Sequence, residues 1–435
     1  MRAGRWEPIR TNLQRIRQID PEGRGKLQFA YICVRCHTEK NKRMKRFFIN
    51  SIIFVLVFTS CTKKQNDVKF EKDGNFYVYV MLNDSIKGRF IFDTGADGLY
   101  LDSTFVKLHG SLIKSNLDTA RMGGAGATEL KQVYLIKDPI KVNIGSYNHK
   151  FTNSPILKLA DFNGDNVAGI IGNEFIKNQV LVIDNENLKL KIDTIVNPKE
   201  YEAILPFEYI DGRIYLKANL EIKDNHRITA RLLFDLGSPD GITLNSYYYK
   251  SLKRKNIRPL KVIDYTILFG GALGGNSDGG EFRVTSINLG IDKIKNPIIS
   301  FSKDTLGALS NKDYDGLIGN EILDRYNYAI DYRNHKLYLN KNGKYKKPFK
   351  STLTGFYAMK KKDYAVVMSI YYQSDAFKNG VQLGDSIVLI NNKKVTDLSD
   401  KELQEELKGE GKAIKLTIVR NKKRIKSIFV QNYLL

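Results

Sequence analysis

The chain has 435 residues, of which 42% are hydrophobic and 27% charged, a composition typical of a globular protein rather than a disordered or collagen-like one. Three cysteines are too few for a disulfide scaffold, and no apolar run reaches the ~18 residues of a membrane-spanning helix. The formal net charge is +23, but nine of these excess positive charges lie in residues 1–46, so the charge is weak evidence for nucleic-acid binding. Length alone predicts about three domains of ~150 residues.

Residues 44–60 have the pattern of an export signal. A basic Met44-Lys45-Arg46 precedes an almost wholly apolar stretch at 47–58, and small residues lead to Cys61, which is the order of a secretory signal. The Ser60-Cys61 ending resembles a bacterial lipobox, in which the cysteine is lipidated and becomes the mature N-terminus. The alternative is a short buried helix.

We therefore expect residues 1–43 to be a spurious N-terminal extension and residues 44–60 a lipoprotein signal peptide. Cys61 would then be the lipidation site that anchors the protein in a membrane of the cell envelope, facing the periplasm or the cell exterior. The upstream string Cys33-Val-Arg-Cys36-His37 matches a haem c attachment motif, but such sites lie downstream of an export signal. No second ligand pair follows for structural zinc, so the sequence predicts no metal and no cofactor.

Between residues 67 and 345 the sequence repeats itself. Asp93-Thr94-Gly95-Ala96, which follows an apolar strand, recurs as Asp235-Leu236-Gly237-Ser238. Gly169-Ile-Ile-Gly172-Asn173-Glu174 recurs 147 residues later, and ten of the 22 positions from 169 to 190 are identical at that offset. The glycine cluster Gly123-Gly124-Ala125-Gly126 recurs in part as Gly270-Gly271. We therefore expect two homologous lobes at 67–200 and 201–345, each built of short strands and turns in a barrel-like arrangement.

The repeated Asp-x-Gly suggests a specific chemistry. Each aspartate ends a strand, and the following glycine allows another backbone to approach closely, so two equivalent loops could bring Asp93 and Asp235 together. Two carboxylates that close share one proton. The ionised one can take a proton from water while the other donates to a scissile carbonyl oxygen, and no metal is required.

Over residues 67–340 the sequence resembles the aspartic proteases. Asp93-Thr94-Gly95 matches the family's Asp-Thr/Ser-Gly signature, and Ile170-Ile171-Gly172 and Leu317-Ile318-Gly319 resemble the apolar element that lies beside each catalytic loop. The cluster at 123–126 resembles the flap of retropepsins. The resemblance implies a peptide or protein substrate and three groups of site residues: catalytic Asp93 and Asp235; supporting Thr94, Gly95, Gly237 and Ser238; and the flap glycines Gly123, Gly124 and Gly126.

The second copy departs from the family pattern at one position. Leu236 stands where the family has Thr or Ser, whose hydroxyl by resemblance joins a hydrogen-bonded bridge between the two catalytic loops. Two hypotheses therefore stay open: a working endopeptidase with a less firmly held dyad, and a catalytically inactive peptide-binding or scaffold protein with the same fold.

The C-terminal part has a different character. Residues 341–350 carry five Lys with one Gly and one Pro, which predicts a solvated linker. Beyond it, the stretch from Ser374 to Ile387 resembles the Ser-x-Ala-x-x-x-Gly-Leu-x-x-Gly-Asp-x-Ile segment of bacterial PDZ domains. That resemblance implies an α+β domain at 352–435 that adds a C-terminal peptide to a sheet edge and holds its carboxylate in a loop, for which Gly355 and Phe356 are the nearest candidates. The alternative is a module that only caps the second lobe.

Other function classes fit poorly. None of the five histidines lies in a zinc-protease motif, and the glycines at 270–275 lack the Gly-Lys-Ser/Thr of a phosphate loop. Aromatic residues fall on strand positions rather than among basic runs, which disfavours nucleic acid as a partner. The sequence therefore predicts a mainly β protein, with two acid-protease-like β-barrel lobes followed by a small PDZ-like α+β domain.

Overall fold

Short β-strands dominate the chain, as the alternation of β-branched residues and turn residues predicts. Strands account for 47% and helices for 13%, so the protein is mainly β. The structure is a computed structural model that describes residues 67–110, 117–124, 129–159, 166–223, 226–257, 259–268, 275–290 and 293–435. The predicted extension, signal peptide and Cys61, together with Gly126 and Gly270-Gly271, lie outside the described residues. Among the residues described, no helix is both long and apolar enough to span a membrane.

The elements are as follows. The strands of the first half are β1 (Val68–Asp73), β2 (Asn75–Leu82), β3 (Ile86–Phe92), β4 (Leu99–Asp102), β5 (Leu117–Met122), β6 (Lys131–Ile136), β7 (Ile140–Ile144), β8 (Tyr147–Phe151), β9 (Ser154–Leu157), β10 (Gly169–Ile171), β11 (Val180–Asp184), β12 (Lys189–Asp193), β13 (Ala203–Pro206), β14 (Glu208–Ile210), β15 (Arg213–Glu221) and β16 (Arg227–Phe234). Those of the second half are β17 (Ile242–Leu244), β18 (Ile263–Ile267), β19 (Ser277–Arg283), β20 (Ser286–Asn288), β21 (Lys293–Lys295), β22 (Ile298–Ser302), β23 (Gly316–Ile318), β24 (Tyr326–Asp331), β25 (Lys336–Lys341), β26 (Phe356–Lys360), β27 (Ala365–Tyr371), β28 (Ser386–Ile390), β29 (Lys393–Lys394), β30 (Ala413–Arg420) and β31 (Lys423–Val430). The helices are α1 (Ser103–Leu108), α2 (Ser246–Arg254), α3 (Asn320–Leu323), α4 (Asp375–Lys378) and α5 (Asp400–Glu406), with 3-10 turns at Asn173–Ile176, Pro198–Glu200, Ala308–Ser310 and Val395–Asp397.

Local sequence explains where the short helices begin. The Asp102 side chain accepts hydrogen bonds from the backbone N–H groups of Thr104 and Phe105 at 2.7 and 3.0 Å, which satisfies donors that have no partner within the first turn. Ser399 and Glu402 form a reciprocal capping box at the start of α5.

The repeated sequence folds into a repeated strand arrangement. In the first copy, β10 lies between β3 and β4, parallel to β3 and antiparallel to β4. In the second copy, β23 lies between β16 and β17 with the same two orientations. In the first copy, β4 also pairs with β9, and β9 pairs with β6 of the β5–β6 hairpin. In the second copy, β17 pairs with β22, and β22 pairs with β19 of the β18–β19 hairpin.

The two copies share a sheet. β11 of the first copy pairs antiparallel with β24 of the second, with Leu181 opposite Ile330, and the strand order across the junction is β13-β25-β24-β11-β12-β1. In the described part of the chain no sheet closes into a barrel. The fold is therefore mainly β with open, shared sheets instead of the predicted β-barrel lobes, because strands at the boundary pair with the other copy.

The C-terminal module, residues 351–435, has its own hydrophobic core but is not separated from the second copy. β27 pairs antiparallel with β18, with Thr266 opposite Ile370, so one sheet runs from the β18–β19 hairpin into the module. The predicted solvated linker is wrong in one respect. Phe349 is buried beneath the guanidinium of Arg325, which lies 3.6 Å from the ring centroid and donates to the backbone carbonyls of residues 344, 345 and 347.

Candidate active site

The structure brings Asp93 and Asp235 into direct contact. Asp93 directly follows β3, and its backbone N–H donates to the Ile171 carbonyl of the neighbouring strand β10 at 2.9 Å. Asp235 directly follows β16, and its backbone N–H donates to the Ile318 carbonyl of the neighbouring strand β23 at 3.0 Å. The two side-chain carboxyl groups are hydrogen-bonded to each other. The duplicated sequence therefore builds two equivalent loops that meet at their aspartates.

The glycines after each aspartate are required by this contact. The Gly95 and Ala96 N–H groups donate to Asp93 Oδ1 at 2.7 and 3.1 Å, and the Gly237 N–H donates to Asp235 Oδ1 at 2.8 Å. A Cβ atom at Gly95 would lie 2.9 Å from Asp235 Cγ, and one at Gly237 would overlap the carboxyl group of Asp93. Because any side chain would push the aspartates apart, only glycine fits these two positions.

The environment favours one shared proton. Burial raises the pKa of Asp93, although hydrogen bonds from Asp235 and from the backbone of residues 95 and 96 oppose that rise. Burial raises the pKa of Asp235 well above its usual value, and the negative charge of Asp93 raises it further. Two carboxyl groups in contact cannot both ionise cheaply, so the pair holds one proton between them.

Thr94 connects the two loops that carry Asp93 and Asp235. Its hydroxyl donates to the Phe234 carbonyl at 2.8 Å and accepts from the Leu236 N–H at 3.0 Å, and its side chain is fully buried. Leu236 occupies the equivalent position of the second copy, where its apolar side chain is also fully buried in the core. The bridge is thus made by one hydroxyl, from the first copy. The supporting residue Ser238 is buried, and its carbonyl accepts from the Asn320 N–H at 2.9 Å.

Sequence reasoning missed two residues that hold these loops, Asn173 and Asn320. The Asn173 side-chain amide donates to the Thr94 carbonyl at 2.5 Å, and the Asn320 amide donates to the Leu236 carbonyl at 2.8 Å. Their Oδ1 atoms accept from groups of the opposite copy, Tyr332 at 2.6 Å and Lys72 at 2.7 Å. The signal was present, because both asparagines belong to the repeated Gly-Asn-Glu, but their role depends on distant partners.

A third missed residue is Arg213, which crosses from the second copy to the first. Its Nε donates to the Gly95 carbonyl at 3.1 Å, and its Nη2 lies 3.5 Å from Asp97 Oδ1. The guanidinium therefore lies beside the loop that carries Asp93. Its positive charge lowers the pKa of Asp93, although less than the hydrogen bonds to that carboxyl group do.

The first hairpin reaches the second copy. Gly123 and Gly124 follow β5, and the Gly124 carbonyl accepts from the Ala308 N–H at 3.1 Å. The Ala308 carbonyl in turn accepts from the Tyr314 hydroxyl at 2.9 Å. Tyr314 lies near the dyad, because the charge of Asp235 contributes, after burial and Tyr215, to raising its pKa to about 12. The described part of the predicted flap thus bridges the two copies close to the aspartates.

The C-terminal module has a strand edge beside a helix. Among the described residues β26 pairs only with β27, and α5 lies along its other side. Gly355 precedes β26 with φ of +77°, and a Cβ there would overlap Ser374. Phe356 begins the strand with its ring buried in the core of the module. The predicted loop residues therefore lie at the start of β26, the strand that contacts α5.

Comparison with known families gives this module its identity. Residues 351–419 match the family model of the PDZ domain. This part of the chain is a PDZ domain. A comparison with curated proteins found no match to the chain, and neither comparison supports the resemblance of residues 67–340 to aspartic proteases, which stays a prediction.

Two side chains of the PDZ domain form hydrogen bonds to the backbone at β26 and just before it. The Gln404 amide on α5 donates to the Ala358 carbonyl on β26 at 3.0 Å, and the Gly355 N–H donates to Thr352 Oγ1 at 3.1 Å. Burial, with the charge of Asp73 next, raises the pKa of Tyr357 on β26. Strand β26 of the PDZ domain therefore lies near the β1–β2 turn of the first copy.

Proposed function

We propose that the protein is an aspartic-type endopeptidase that hydrolyses peptide bonds with a water activated by Asp93 and Asp235. The observation that carries this proposal is the hydrogen-bonded contact between the two carboxyl groups, each held by backbone N–H groups of its own loop. A pair of carboxyl groups with unequal affinity for one proton is the arrangement that general acid–base catalysis on an amide requires.

The reaction follows from the charge distribution. Ionised Asp93 takes a proton from a water, whose oxygen forms a bond to the scissile carbonyl carbon. Protonated Asp235 donates its proton to the carbonyl oxygen, which gives a neutral tetrahedral gem-diol. Collapse of this intermediate breaks the carbon–nitrogen bond, and the proton held by Asp93 passes to the leaving amine while a hydroxyl proton returns to Asp235.

The rest of the proposal concerns where the enzyme works. The signal at 44–60 and Cys61 support a lipid-anchored protein of the cell envelope, and both lie outside the described residues. A PDZ domain generally binds peptide or protein ligands, so a peptide partner for the groove beside β26 is consistent with a substrate that is itself a polypeptide.

The experiment compares Asp93→Asn and Asp235→Asn with the wild-type chain on a library of quenched fluorescent peptides. We expect both variants to lose at least a hundredfold in kcat/KM, because each removes one of the two proton-transfer groups. Asp84→Asn, at an exposed turn between β2 and β3, is the matched control and should retain full activity. Activity that is unchanged in both dyad variants would contradict the mechanism.

A second candidate is an inactive peptide-binding protein, which Leu236 favours because it leaves the bridge with one hydroxyl instead of two. A statine-type transition-state mimic distinguishes the two. An active dyad binds the mimic more tightly than the matching substrate peptide by at least a hundredfold, whereas a dead dyad binds the two alike.

A further inference from the structure

The hairpin of β30 and β31, at the C-terminal end of the chain, turns one face to a hydrophobic core and the other to solvent. Successive side chains of a strand point to opposite faces, and Ile414, Leu416 and Phe429 lie in the core of the module. β31 is the last strand in the order of its sheet and pairs with β30. The residues that alternate with the buried ones therefore form an outer face on the hairpin.

This hairpin is strongly basic. Residues 411–435 contain seven Lys and Arg residues and no Asp or Glu. One of the seven, Arg420, pairs with Asp385 at 2.6 Å. Five of the others are exposed and form no ion pair with another described residue, namely Lys415, Lys422, Lys423, Arg424 and Lys426. Like charges this close together repel one another, so the fold concentrates a positive charge here and leaves it uncompensated.

The same outer face exposes aliphatic side chains. Ile428 is 57% exposed and Val430 is 43% exposed, and residues two apart on a strand are neighbours on one face. Lys415 lies opposite Ile428 in the ladder between β30 and β31. Lysines alone can protect an edge strand from pairing with other molecules, but exposed isoleucine and valine work against that protection. The combination therefore indicates a surface that becomes covered when a partner binds.

The hairpin holds these side chains on a regular ribbon. Its ladder runs from Ala413 opposite Val430 to Arg420 opposite Lys423, a length of about 23 Å at the usual rise per strand residue. The two residues of the turn, 421 and 422, have left-handed φ values of +49° and +63°, as in the type I′ turns that join two strands tightly. The turn end carries most of the cations, and the opposite end carries the exposed aliphatic residues.

An anionic bilayer surface matches both properties of the outer face. Anionic headgroups attract Lys and Arg residues that lie close to the membrane, and aliphatic side chains gain free energy at the boundary between headgroups and acyl chains. A single-stranded nucleic acid binds largely by stacking on aromatic side chains, and none of the exposed residues described on this face is aromatic. The phosphates of a duplex would satisfy the cations but would leave Ile428 and Val430 in water.

We propose that the β30–β31 hairpin is a membrane-contact surface, whose exposed Lys and Arg residues bind anionic phospholipid headgroups while Ile428 and Val430 insert among them. The inference goes beyond the proposed function, because it requires neither the pair of aspartates nor a lipid on Cys61. The strands of the PDZ domain follow the order β26-β27-β28-β30-β31. Contact with a membrane through β31 and binding of a peptide beside β26 therefore use different strands.

Sedimentation with lipid vesicles tests the contact. The chain from Lys64 to Leu435, which forms one compact unit and lacks Cys61, is mixed with vesicles of phosphatidylcholine alone or with an equal part of phosphatidylglycerol. Each Lys or Arg near an anionic surface strengthens binding about fivefold, so the wild type should prefer the anionic vesicles by about a hundredfold or more. The triple variant K415Q/R424Q/K426Q should lose about a hundredfold in affinity for them.

The matched control removes the same charge elsewhere. K158Q/K177Q/K199Q changes three exposed lysines of the first copy and should keep the preference for anionic vesicles. Equal binding of the wild type to both kinds of vesicle would overturn the proposal. An equal loss in the two triple variants would overturn it as well, because net charge rather than the hairpin would then explain the binding.

The aliphatic side chains distinguish a bilayer from the other partners. I428S/V430S should weaken binding to anionic vesicles about tenfold and leave binding to heparin unchanged, and an unchanged affinity for the vesicles would reject the insertion. Tighter binding of the wild type to a DNA duplex than to anionic vesicles, at one salt concentration, would assign the face to nucleic acid and overturn the proposal. Dimerisation in solution that I428S/V430S abolishes would assign it to a second copy of the chain instead.

Discussion

Replacing Thr94 with valine tests how the loops that carry Asp93 and Asp235 are joined. Valine keeps the shape of threonine and removes the hydroxyl, so the buried Leu236 N–H loses its acceptor and the Phe234 carbonyl loses a donor. Each buried polar group without a partner costs about 1–3 kcal/mol. Because both groups are affected and Thr94 has no exposed surface, we expect Thr94→Val to lower the free energy of unfolding by about 2–5 kcal/mol.

Equilibrium unfolding in urea, followed by far-ultraviolet circular dichroism, measures this change as a lower midpoint with an unchanged slope. The matched control is Thr229→Val, whose hydroxyl donates to Asn219 Oδ1 at 2.7 Å on an exposed surface and whose loss should cost no more than ~0.5 kcal/mol. If the enzyme is active, Thr94→Val should also reduce kcat by about a hundredfold, since a misplacement of ~1 Å costs that much. A midpoint equal to that of Thr229→Val would refute the bridge.

Two further predictions concern charge and the PDZ groove. Since burial and the charge of Asp93 raise the folded-state pKa of Asp235, the folded protein binds more protons than the unfolded chain above the ordinary aspartate pKa of about 4. The free energy of unfolding therefore falls as pH rises through this window. Asp235→Asn should flatten that fall between pH 4 and 7 in urea titrations, and an equal fall in both proteins would argue against the raised pKa. In the PDZ domain, Gln404→Ala frees the Ala358 carbonyl, so C-terminal peptides should bind about 2–10-fold tighter by calorimetry, because a hydrogen bond worth ~0.5–1.5 kcal/mol no longer has to be broken. Lys401→Ala, on the exposed face of α5, is its control, and an equal gain in both variants would contradict the role of Gln404.

Sequence reasoning worked where the information is local or repeated. The short strands and turns predicted for residues 67–345 are present, because the alternation of β-branched and turn residues is a local pattern. The juxtaposition of Asp93 and Asp235 followed from duplication, since two equal loops of a pseudo-twofold arrangement meet at equal positions. The structure brings them together, and the chemistry assigned to them stays a proposal.

It failed where a residue acts through a distant partner. Asn173 contacts the Thr94 carbonyl 79 residues away, and Arg213 contacts the Gly95 carbonyl 118 residues away. Because the partners are so distant in the sequence, no local pattern predicts either role. The sequence shows short strands and turns but not which strands form the edge of a sheet. The prediction therefore closed each lobe into a barrel, whereas the described sheets are open and shared. The basic linker was predicted to be solvated because its five lysines outnumber its aromatic residues, yet the buried Phe349 anchors it beneath Arg325.

The pairing of β18 with β27 bears on how this protein can be divided. A shortened chain that stops before residue 351 would leave β18, half of the second hairpin, as a bare strand edge with unpaired N–H and C=O groups. Such edges recruit strands from other molecules, so a truncated protein should self-associate even if its remaining core is intact. Deletion of the PDZ domain is therefore a poor way to ask what that domain does. Point changes in its groove keep the edge covered, and they separate loss of peptide recognition from loss of solubility.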